Sequence, residues 1–100
     1  MNNDCIEKTE GYHPTGLQIR LIKRTYVFPW SQFLFAEGDA DEIRIAFSTH
    51  DIVVSGRNLN DLLRDISAQR ISLMKESVRA ELFTAFPEPQ ITKIFVKKAE

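Results

Sequence analysis

The sequence is short of the residues that most often announce a function. It has one cysteine, Cys5, in 100 residues. A single thiol cannot close an internal disulfide, so the fold must rest on its apolar core, which suits a reducing, cytoplasmic setting. No cation precedes Lys8, and a thiol without an electropositive, structured surrounding is not reactive. With only two histidines beside that cysteine, one chain cannot complete a four-ligand zinc site. Glycine occurs four times and nowhere as a phosphate cradle or a G-x-S-x-G elbow. Neither a cofactor nor a metal is expected. No run approaches the roughly 20 apolar residues that cross a bilayer, so no membrane partner is expected. The opening MNNDCIEKTE brings acids and a lysine before any apolar run, unlike a secretory leader. Charge of one sign is also missing. Thirteen Lys+Arg face 14 Asp+Glu, a net charge of −1. That disfavours a strongly basic nucleic-acid binder but leaves room for a local patch.

What is present is an ordinary globular composition, 43% hydrophobic and 27% charged, at the length of one domain. Residues 1–15 are polar and end in the turn formers of Gly11–Gly16, which predicts a flexible N-terminal tail before a single domain over 16–98. Leu17, Ile19 and Leu21 alternate with Gln18 and Arg20, the period of a strand, and Thr25–Phe28 resumes an extended run. Pro29 ends or bends it. Phe33, Leu34 and Phe35 are contiguous, as in a strand buried on both faces or set at a corner. Gly38–Asp41 is the clearest turn. Behind it Ile43, Ile45 and Phe47 alternate with Glu42, Arg44 and Ala46, and Ile52–Ser55 follows a second turn. Residues 32–55 thus read as a three-stranded antiparallel meander.

Asn58 is the expected N-cap of a helix whose Leu59, Leu62, Leu63 and Ile66 form one buried stripe, with Asp61 in its first turn. Residues 69–86 are ambiguous. Ile71, Met74, Val78 and Leu82 stand at helical spacing, while Arg70–Leu73 alternates like a strand. A second helix over about 72–85, bent away from the first near Gln69–Ile71, is the expectation, and one continuous helix the alternative. Pro87 and Pro89 stop it, and Ile91–Val96 forms a last strand. The fold class is α+β: a mainly antiparallel meander or half-barrel sheet of five to six short strands with one or two helices packed on it.

Candidate sites are few. Arg20, Lys23 and Arg24 lie close in sequence to Tyr26, Phe28 and Trp30. Cations that neutralise phosphate beside aromatics that stack bases make a nucleic-acid surface, and the same spacing makes a plain core. Trp30, after a proline at a strand end, is the ring expected to stay available for a contact. Glu37, Asp39, Asp41 and Glu42 form an acidic tip without the glycine and distal glutamate of a calcium loop. His50–Asp51 with Ser48 and Ser55 has the residue types of a hydrolytic triad, but catalysis is not expected. Leu59-Asn60-Asp61-Leu62-Leu63 has the spelling of a docking helix, with its leucines assigned to the domain's own core. The last strand is apolar at adjacent positions, Ile94, Phe95 and Val96, so its outer face calls for a partner. The best functional reading is a small non-catalytic interaction module that pairs with a protein or a second copy, with partner residues Arg20, Lys23, Arg24, Tyr26, Trp30 and Phe95. The alternative is a nucleic-acid-binding domain on the basic-aromatic strand.

Overall fold

The computed structural model describes residues 6–76 and 89–99. Among these residues it is mostly β, with eight strands, one short α-helix and a single 3-10 turn at Trp30–Gln32. The strands are β1 (Ile6–Lys8), β2 (Gly16–Arg20), β3 (Thr25–Pro29), β4 (Phe33–Gly38), β5 (Glu42–Phe47), β6 (His50–Arg57), β7 (Ile71–Lys75) and β8 (Gln90–Lys98). The helix α1 (Asn60–Ser67) joins β6 to β7. Two four-stranded sheets result, in the orders β1-β7-β2-β3 and β4-β5-β6-β8. Every pairing is antiparallel except β2 with β7. No helix among the described residues is long and apolar enough to cross a membrane.

The meander β4-β5-β6 forms as the alternation predicts, because Ile43, Ile45, Phe47, Ile52 and Val54 must all face one way to leave water. Its first turn is fixed by Asp39. The Asp39 carboxylate accepts the amides of Asp41 (2.8 Å) and Glu42 (3.0 Å), and those two hydrogen bonds hold its pKa below the usual carboxylate value. The inner faces of the two sheets meet through aromatic rings. Phe28 of the first sheet stacks on Phe47 of the second at 5.0 Å. Trp30 lies 5.7 Å from Phe47 and 5.3 Å from Phe33. The buried face of α1, Leu59, Leu62 and Ile66, joins the same core.

Several expectations are corrected. One sheet becomes two. Within the segment read as a tail, Ile6–Lys8 pairs with β7. The Thr9 amide donates to the Arg70 carbonyl at 2.9 Å, and Lys8 reaches Asp65 at 3.2 Å. Asn58 is not the N-cap. Its φ is +57°, a left-handed conformation that asparagine tolerates, and Leu59 occupies the cap position without a side-chain cap. The helix expected over about 72–85 gives way to β7 at Ile71–Lys75, and the remainder of that span lies outside the described residues. The chain leaves α1 near Gln69 as expected, but by a glycine-free device. Gln69 takes φ +56°, its amide donates to Ile66 O, and the Arg70 amide donates to Asp65 O. That bond pair is the Schellman ending, which usually uses glycine at the left-handed position.

The expected core also shifts. Phe35 is 44% exposed, while Trp30, Ile71, Leu73, Met74 and Ile91 are buried. Leu21, Phe33, Leu63 and Val96 pack against the core in part. Val78 and Leu82 lie outside the described residues.

Between β7 and β8 stands one polar tie. Glu76, just past β7, accepts the Ile94 amide of edge strand β8 through its carboxylate at 2.8 Å. A hydrogen bond to a charged group contributes about 1.5–3 kcal/mol. Glu76→Ala is therefore expected to lower stability by an amount near the bottom of that range, because the pair is only part-buried. Urea unfolding of the variant measures it. Unchanged stability, with unchanged amide exchange at Ile94, would show that the tie does not form in solution.

Candidate functional site

The outer face of the second sheet is built by the residues that alternate with its core positions. In β5 these are Glu42, Arg44 and Ala46. The register runs Glu37–Arg44–Val53–Phe95 across the four strands, and the next rung runs Phe35–Ala46–Asp51–Lys97. Phe95 is 53% exposed, and Val53 is half-buried. Phe35 reaches this face through a bulge. The register slips between Phe33 and Phe35, so Leu34 takes up the extra position. Phe33 then turns inward onto Phe47 while Phe35 turns outward.

Arg44 organises the centre of the face. Its guanidinium lies 3.3 Å from Asp51 and 3.6 Å from Glu37, and 5.5 Å from the centre of the Phe35 ring. Exposed pairs of this kind contribute only about 0–1 kcal/mol each. Their effect is positional: they neutralise the cation and hold it against the ring. Two phenylalanines thus stand on one sheet face, on successive rungs and about 16 Å apart at the usual strand spacing of about 4.8 Å and rise of about 3.4 Å per residue, with a charge-satisfied arginine and a valine between them.

The predicted site residues do not all come together. Arg20, Lys23 and Arg24 are exposed on the β2–β3 hairpin, with the Arg24 guanidinium 6.0 Å from the Tyr26 ring centre. Tyr26 is half-buried, stacked on Phe28 at 5.6 Å. Trp30, expected to remain available, is 4% exposed. Its Nε1 donates to the Ile71 carbonyl at 3.0 Å inside the core. Tyr26, Phe28 and Trp30 do share a face, and that face is the core face. Phe95 stands apart from this group, on the other sheet.

The remaining constellations do not assemble. Asp51 is engaged by Arg44, Ser48 donates to Gln32 Oε1 at 2.6 Å, and His50 packs against both the Tyr26 and Phe28 rings with Nδ1 2.8 Å from Thr49 Oγ1. These groups point to different neighbours rather than to one reacting centre. Among the described residues no three His, Cys, Asp or Glu side chains converge as a metal site. Leu59 and Leu62 are buried and Leu63 half-buried in the domain's own core. No family model, curated protein or solved structure matches the chain.

Proposed function

We propose that the protein is a small non-catalytic interaction module that binds protein through the outer face of its second sheet. One observation carries this reading: Phe35 and Phe95, 44% and 53% exposed, lie on the same face, Phe35 against Arg44 and Phe95 beside Val53. Aromatic residues and arginine are the types enriched at protein interfaces and among their dominant contacts. Isolated aliphatics such as Ile22 and Val27, also exposed, are ordinary surface features. The nucleic-acid alternative keeps its cations at the surface, but Phe28 and Trp30 are engaged in the core. No observation favours it further.

In-cell photo-cross-linking tests the reading. Phe95 is replaced by p-benzoylphenylalanine in one variant and Val27 in another. Discrete protein adducts from position 95 and none from position 27 are the expected result. Absence of adducts at 95, or equal labelling at both positions, would reject the second sheet as the binding face.

A further inference from the structure

Resting on that reading, we propose that the occupant of the outer face is a second copy of the same chain, packed sheet to sheet about a two-fold axis parallel to the strands. The charge layout carries the inference. One flank of the face is acidic, with Glu37 on β4, Glu42 on β5, and Asp39 and Asp41 in the turn joining them. The other flank is basic, with Lys93 and Lys97 on β8. Glu42, Lys93 and Lys97 have no ion-pair partner among the described residues. Phe35 lies on the acidic edge strand, Val53 between the flanks and Phe95 on the basic edge strand.

A two-fold axis along the strands, between β5 and β6, sets β4 against the second copy's β8 and β5 against its β6. Each acidic flank then meets the other copy's basic flank, a contact made twice in the dimer, and the same patch serves both copies, as a two-fold interface requires. An axis across the strands would instead lay β8 on β8, lysine against lysine. Edge-to-edge pairing of β8 is opposed by the same lysines and by the Glu76 carboxylate already seated on the Ile94 amide. Sheets pack face to face at about 10 Å, within reach of the long flanking side chains. Four strands about 4.8 Å apart and some six residues long span a face of about 400 Å² per copy in projection. That is below the area of a permanent dimer, so association is reversible and concentration-dependent.

Sedimentation of the purified full chain over a concentration series tests the proposal. The mass is expected to rise from 11.5 kDa toward twice that value, and to rise less in high salt. Phe95→Asp, on an exposed site and checked for an unchanged melting temperature, should remain monomeric. The pair Glu37→Lys with Glu42→Lys removes the net acidity of one flank and sets lysines against the basic flank, and the pair Lys93→Glu with Lys97→Glu makes both flanks acidic. Each double variant alone should be monomeric, and an equal mixture of the two should form a heterodimer. Persistent monomer for the wild type, or a dimer indifferent to Phe95→Asp and to both reversals, would overturn it. A monomeric purified protein whose position-95 adducts carry a different protein would overturn self-association while leaving the interaction reading intact. Adducts of twice the chain mass support both.

Discussion

Replacing Phe47 by alanine should cost about 3–5 kcal/mol, the range for truncating a buried aromatic. Phe47 is 1% exposed and is the ring on which the two sheets converge. It stacks on Phe28 at 5.0 Å and lies 5.7 Å from Trp30 and 5.9 Å from Phe33. Alanine would leave a void between three large rings that belong to different elements, so local collapse cannot fill it without moving a sheet. A domain of this size has about 5–15 kcal/mol in total. The variant should therefore lose about a fifth or more of its stability, and its melting temperature should fall by about 4–8 °C per kcal/mol. Urea and thermal unfolding give both numbers. A loss under about 1 kcal/mol, well below the core-truncation range, would mean that the two inner faces do not share this contact.

Gly56→Ala is the second large effect, and it acts through backbone rather than packing. The register of β6 with β8 slips between Ser55 and Gly56, so that Ser55 faces Lys93 while Gly56 faces Ile91. This bulge brings the Gln90 carbonyl against the Gly56 Cα, where a Cβ would overlap it. The Gly56 amide also donates to the Asp41 carbonyl at 2.9 Å, which limits any retreat on the other side. Forcing a side chain into such a site costs about 1–3 kcal/mol. The loss should be concentrated in β8, where faster amide exchange around Gln90–Ile91 would report it. Wild-type exchange there in the alanine variant would show that the bulge relaxes freely.

The parts of the fold that were legible are those in which one face of an element is wet. Ile43, Ile45 and Phe47 alternate with polar partners because β5 has water on its outer side, so period two survives in the sequence. Strand β7 was hidden for the opposite reason. Leu73 and Met74 are both buried, so the strand is apolar on successive positions, and Met74 then falls in helical phase with Ile71. The break before it carries no glycine, because Gln69 adopts the left-handed position itself. Strand β1 has only Ile6 half-buried, with Glu7 and Lys8 exposed, too little apolar content to give a period.

The candidate site was legible only at Phe95, where three adjacent apolar residues cannot all face one core. Phe35 was misplaced because sequence alternation cannot register a bulge, and the bulge at Leu34 reverses its direction. The spacing of Tyr26, Phe28 and Trp30 correctly placed the three rings on one face. It could not say that this face meets a second sheet, since that depends on which strands pair across the chain. The indole of Trp30 reaches a carbonyl 41 residues away, a partner no local pattern contains.

The most direct test of the binding face is an amide NMR map recorded as the concentrated protein is diluted. Shifts that change with concentration should cluster at Phe35, Arg44, Val53 and Phe95 and on their outer-face neighbours in β4, β5, β6 and β8, with the β2–β3 hairpin unchanged. Changes centred instead on Arg20, Lys23, Arg24 and Tyr26 would contradict it, and a spectrum that does not change at any dilution would contradict self-association through that face.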